Sequence, residues 1–150
     1  MDTPVPPRYA GPRALAESLS AFARNSADGA RWDREGLRTD SEYRDLGLAA
    51  ATNGRIGVKH IRSLEPLPHS TGWHWHDMTA HYVYVLRGWL TFRFAGVAGD
   101  VTLRAGDGLS QPAGVPHNVI ARSDDLEVIE INEPARYGTW ELKQPPPHWR

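Results

Sequence analysis

The chain has 150 residues, a formal net charge of −1, seven histidines and no cysteine. That length suits one compact domain with a real core. The near-neutral charge offers no basic field to gather nucleic acid or an anionic membrane, and without thiols there can be no disulfide, thiolate metal site or cysteine nucleophile.

In chain order, the proline-rich start MDTPVPPRYAGPR reads as a flexible arm rather than a signal peptide. No apolar run approaches the length of a bilayer crossing, so a soluble, cytoplasmic protein is expected. Pro12 can occupy the first turn of a helix. Leu15, Leu19 and Phe22 then recur on one face, and residues 25–29 end it. A single short helix without a recognition partner speaks against DNA binding. Residues 30–46 are charged and aperiodic, with 42–46 expected as a turn or packed loop.

From about residue 47 the pattern changes to short β segments. Strands are expected at 56–62, 81–87 and 89–94, the last two joined at Gly88 as a hairpin. Further strands follow at 101–103, 108–111, 117–121, 126–132 and 139–142. Turn residues separate them: Ala-Gly-Asp-Gly at 105–108, Pro-Ala-Gly at 112–114 and Ser-Asp-Asp at 123–125. This spacing argues for an antiparallel sandwich or barrel. The expected organisation is an arm and helix over 1–46 packing on a barrel over 47–144, with a proline-rich tail over 145–150.

The stretch GWHWHDMTAHYVYVLRG, residues 72–88, carries the chemistry. Residues i and i+2 of a strand share a face, so His74 and His76 point one way and Trp73 and Trp75 the other. Two adjacent imidazoles suit a divalent Zn, Cu, Fe or Ni ion. His81 opens the next strand and can approach the same ion from a second direction. His117 follows a tight turn, Pro112 to Pro116, that would aim it. His60, His69 and His148 read as ordinary surface or hydrogen-bonded residues.

If His81, Val83 and Val85 face inward, Tyr82, Tyr84 and Leu86 face outward. That apolar face needs a cover, either the N-terminal helix or a second copy of the chain, and a homodimer is expected. Gln111, Arg62 and Arg93 could reach a cavity but read as structural. Alternation in 126–132 leaves open whether Glu127, Glu130 or Glu133 faces inward, so no general base is nominated. No phosphate-cradling glycine loop and no G-x-S-x-G serine motif occurs.

The histidine pattern resembles the two short motifs of the cupin superfamily. In the first, G-x5-H-x-H-x(3,4)-E-x6-G, His74, His76 and Gly88 match; His81 stands at the glutamate and Pro68 at the leading glycine. In the second, G-x5-P-x-G-x2-H-x3-N, Gly106, Pro112, Gly114 and His117 match, and Ala121 replaces the asparagine. The resemblance spans roughly residues 50–135. It implies an all-β, cupin-type barrel or jelly roll with a short N-terminal helical segment. It also implies one divalent transition metal on His74, His76, His81 and His117: iron for redox work, with Zn, Ni, Mn or Cu as competitors.

An all-imidazole set leaves a divalent ion near +2, where a carboxylate ligand would leave it near +1. The ion is then a stronger Lewis acid and a stronger attractor of anions. The resemblance thus implies a metal-dependent dioxygenase acting on a small enolate- or carboxylate-type molecule. A non-redox lyase, decarboxylase or isomerase is the alternative, and a non-catalytic binding or sensing domain the third reading.

Overall fold

The computed structural model describes residues 20–149. Ten strands form two five-stranded antiparallel sheets. The first sheet runs in the order β1 (Ser41–Asp45), β2 (Gly57–Ser63), β9 (Glu127–Glu133), β4 (Ala80–Arg87) and β7 (Gly108–Gln111). The second runs β10 (Thr139–Leu142), β3 (Trp73–His76), β8 (His117–Arg122), β5 (Trp89–Phe94) and β6 (Val101–Arg104). A single helical turn, α1 (Leu48–Ala51), and a 3-10 turn at Pro147–Trp149 complete the described elements. The result is nearly all-β, as expected, but the two sheets stay separate and no ladder closes them into a continuous barrel.

Alternation builds the core. In β4, His81, Val83 and Val85 are buried while Tyr82, Tyr84 and Leu86 are exposed. Val83 and Val85 meet Leu90, Phe92 and Phe94 of β5, Leu103 of β6, and Leu126 and Val128 from the region of β9. Full burial of a side chain such as Val85, which has no exposed surface, is worth roughly 1.5–3 kcal/mol. This core lines the space between the sheets, with polar residues at its ends.

Two sequence expectations are corrected. Strands β4 and β5 do not form a hairpin: β4 pairs with β7 and β9, whereas β5 pairs with β6 and β8. Gly88 alone joins them, at φ +74°. One residue is too short for a two-residue hairpin turn, so the chain instead kinks over the edge from one sheet to the other. A Cβ at Gly88 would run into Ser123 and the backbone of Leu126, so the joint requires glycine on two counts.

Residues 42–46, expected as a turn or loop, are mostly strand β1, and the first sheet therefore starts upstream of residue 47. Only Tyr43 in this stretch is an apolar inward residue, too little to show a period of two. Pairing with β2 and a bridge from Asp33 to Tyr43 hold it in place. Leu15 and Leu19 of the expected N-terminal helix lie outside the described residues. Residues 20–25 carry no regular structure and Phe22 is fully exposed; Ala21 N–H donates instead to the carbonyl of Ala51. Among the described residues no helix is long and apolar enough to cross a membrane.

Candidate metal centre and cavity

The space between the sheets opens into a cavity of about 190 Å³. Three of the four predicted histidines, His74, His81 and His117, line it, and His76 packs beside them; all four are less than a tenth exposed. His74 and His76 project from β3 on one face. Strand β3 pairs with β8 so that His74 stands directly opposite His117. Their ring centroids are 4.4 Å apart, and His76 lies 5.1 Å from His74 and 5.2 Å from His117. His81 comes from the facing sheet, at 5.5 Å from His76 and 6.0 Å from His117.

One ring nitrogen from each of His74, His76 and His117 lies within 4.8 Å of the others. Two metal–nitrogen bonds of about 2.1 Å span roughly 4 Å, so small ring movements would bring all three to one ion. Their hydrogen bonds point the same way. His74 Nδ1 sits 2.9 Å from the Gly72 carbonyl, His117 Nδ1 3.0 Å from the Val115 carbonyl, and His76 Nδ1 2.8 Å from the Thr139 hydroxyl. A carbonyl only accepts, so Nδ1 of His74 and His117 carries the proton and Nε2 keeps its lone pair. Fixing one ring nitrogen to free the other is the outer-shell arrangement of metal-bound histidine.

Protonation is disfavoured as well. Burial, followed by the charge of neighbouring histidines, lowers the proton affinity of His76 to a pKa of about 4. Burial and His74 take His117 to about 3. His74 is lowered too, by burial above all. All three are neutral donors at pH 7, which is the form a metal takes. The three-histidine group thus fits a divalent transition metal.

His81 is engaged differently. Its Nε2 lies 3.2 Å from Glu130 Oε2 and 3.3 Å from the Gln111 amide. Glu130 projects inward because β9 turns Val128, Glu130 and Asn132 to the same side, a choice the alternation of 126–132 left open. Burial pushes the Glu130 carboxyl up, but the bond and charge of His81, with Lys59 and His76, outweigh it and hold the group ionised. Tyr137 donates towards Glu130 Oε1 at 3.5 Å. Burial and the Glu130 charge raise its phenol far above the ordinary range, so it stays protonated.

Sequence reasoning missed Tyr137, which stands in a loop without periodicity, and Thr139, whose role appears only through the register pairing it with His76. Gln111 does line the cavity, with an amide oxygen that has no partner among the described residues. Arg62 and Arg93 point elsewhere: Arg62 pairs with Glu42 and stacks on Trp32, and Arg93 pairs with Asp100. His60 binds Glu127 at 2.9 Å and His69 is exposed.

Residues 61–132 match the family model described as a cupin domain. Solved structures share the fold at low identity. KdgF from Halomonas sp. is 17% identical with a TM-score of 0.60, over 76% of this chain and 96% of that one. The polyketide cyclase RemF from Streptomyces resistomycificus is 17% identical with a TM-score of 0.62, over 81% and 86%. A sugar phosphate isomerase from a cupin superfamily of Silicibacter pomeroyi is 19% identical with a TM-score of 0.62, over 81% and 83%. No curated protein matches the sequence.

Proposed function

We propose that this chain, a member of the cupin superfamily, is an enzyme that holds one divalent transition metal on His74, His76 and His117 and moves a proton on a small organic molecule. The cupin-domain match over residues 61–132 and the shared fold support that membership; at under 20% identity the neighbours leave the reaction to be read from the site. The observation that carries the reading is the ionised Glu130, held by His81 and Tyr137 in the same cavity as His74 and His117, with His76 packed against both.

A bound divalent ion supplies Lewis acidity, polarising a substrate oxygen and acidifying the neighbouring C–H. Glu130 supplies the base. Its carboxylate accepts the proton, and His81 Nε2–H fixes the orientation of Oε2. Tyr137 stays a donor throughout. The apolar walls exclude water and strengthen each of these interactions. Isomerisation and elimination both need such a base beside a polarised carbonyl. We assign His81 to Glu130 rather than to the ion, because its Nε2 carries the proton donated to Glu130 Oε2 and so has no lone pair to offer there.

Glu130→Gln keeps the shape and removes the base. Its kcat is expected to fall about 100-fold with bound metal unchanged, measured by steady-state kinetics and elemental analysis on one preparation. A loss of metal in step with activity would instead make Glu130 a support of the metal centre.

A second reading, a dioxygenase with iron, is favoured by the ligand set: three neutral nitrogens and no carboxylate leave open positions for substrate and oxygen. The two separate cleanly. Full turnover under anaerobic conditions with zinc or nickel supports proton transfer. Oxygen uptake by iron-loaded protein on diketones, catechols or thiols supports the dioxygenase.

The outward strip of the first sheet fits the expected homodimer. Tyr82, Tyr84, Leu86 and Ile131 are each more than a third exposed and adjacent in register across β4 and β9. Light scattering at micromolar concentration is expected to give twice the chain mass, and a monomer mass would contradict it.

A further inference from the structure

The cavity has a second charged end that the metal reading does not use. Arg122 is the last residue of β8, five residues beyond His117. At about 3.3 Å per residue, up to roughly 16 Å of strand separates the two. Arg38 enters from the segment before β1, and both arginines line the cavity with Ser41 and Ser63. Between the ends the walls are apolar: Ile61, Val83, Phe92, Val119 and Val128.

The charges at this end do not balance. The Arg122 side chain is only 4% exposed. It bonds Ser63 Oγ, the Glu65 carbonyl at 3.1 Å and, at 3.4 Å, Asp40. Arg38 grips the same Asp40 through Nε at 3.2 Å and Nη2 at 2.8 Å. Burial works against ionisation of Asp40, but the bonds from Arg38 and Ser41 and the charges of both arginines overcome it. Asp40 therefore serves two guanidinium groups, the buried Arg122 and the Arg38 side chain, which is 27% exposed. The other carboxylates lining the cavity, Glu130 and Glu141, stand beside His81 and His74 at the opposite end, so this end keeps a net positive charge. Arg38 Nη1 makes no hydrogen bond among the described residues and retains two donors. Its charge also reaches His74, adding to the burial that keeps that imidazole neutral, so both ends belong to one electrostatic unit.

Taking the histidine end as the reacting end, as proposed above, we infer that Arg38 and Arg122 form a carboxylate-binding subsite, and that the substrate is a small apolar acid held between its carboxylate and its reacting group. The single excess charge matches a carboxylate better than a phosphoester, which carries about −1.5 to −2 at pH 7. The two free donors on Arg38 Nη1, beside the Arg122 charge, suit a carboxylate. The apolar walls take the hydrocarbon between.

The test is calorimetric titration of the metal-free full-length chain with hexanoate, 1-hexanol and hexyl phosphate. Hexanoate is expected to bind at least tenfold more tightly than 1-hexanol, and Arg38→Gln to remove that preference. Equal binding of acid and alcohol, no hexanoate binding, or a preference that survives Arg38→Gln would overturn the subsite. Hexyl phosphate binding tenfold tighter than hexanoate would overturn the carboxylate assignment. Should Arg122→Gln fail to fold through loss of its Ser63 and Glu65 ties, the wild-type comparison and the Arg38 variant still decide. Because no metal is present, failure here leaves the metal reading standing, and loss of metal on changing a histidine leaves the subsite standing.

Discussion

His76→Ala is expected to reduce bound metal from near one per chain to below a tenth, by elemental analysis of protein purified without added metal. The reasoning is one of donor count. His74, His76 and His117 present three neutral nitrogens within 4.8 Å, and imidazole is a good ligand for iron, zinc, nickel and copper. Removing even an outer-shell partner of a metal-bound histidine costs 10–100-fold in affinity. Removing a direct donor costs more, and the two that remain cannot hold an ion through purification. His76 is also the most informative choice, because its ring faces both His74 and His117 and the loop residue Tyr137, at 5.2 Å. Metal content unchanged by the substitution would place any metal elsewhere. The same measurement on His81→Ala bears on the fourth histidine: retained metal supports its assignment to Glu130, and lost metal supports the fourth-ligand expectation.

What the sequence made legible follows from what periodicity can report. Strand β4 alternates strictly over its first seven residues, so its inward set, His81, Val83 and Val85, could be read directly. His74 and His76 shared a face by the same rule. His117 was locatable because a proline–glycine turn precedes it. The joint at Gly88 was misread because local chemistry says only that the chain turns, whereas the choice between hairpin and sheet crossing depends on partners far away: Gln111 and Asn132 for His81, Ala121 and Thr102 for Thr91.

Glu130 shows the same limit inside the site. Val128 and Ile129 are equally apolar, so β9 has no obvious inward face. Pairing of His81 with Asn132 and of Val83 with Glu130 fixes it, and that pairing is a property of the whole sheet. The Arg38–Asp40–Arg122 cluster joins residues up to 84 positions apart. A charged stretch such as 30–46 reads as solvated surface until a buried strand end is set against it.

Acid should destabilise the metal-free protein steeply, starting near neutral pH. The three imidazoles have folded-state proton affinities below their ordinary pKa of 6.5, His76 near 4 and His117 near 3. In the unfolded chain each takes up a proton as the pH falls through about 6.5, and in the folded chain it does not. The unfolded state then binds more protons, so stability is full above pH 6.5 and is lost as the pH falls towards the folded values. His76 and His117 each contribute about 1 kcal/mol of loss between pH 6.5 and 5.5, hence about 2 kcal/mol for the two, and His74 adds in the same direction. That is a large part of an ordinary domain's 5–15 kcal/mol. Carboxylates with lowered folded values, Asp40 and Glu130 among them, act in the same direction but only below about pH 4.5, so the imidazoles dominate the upper window. Urea midpoints of chelator-treated protein are expected to fall continuously from pH 7 to 5. His76→Gln should make that slope shallower by about 1 kcal/mol over the first pH unit below 6.5. A midpoint constant across this range would mean that the three rings are already protonated or solvated in the folded state, and neutral donors buried between two sheets could not behave so.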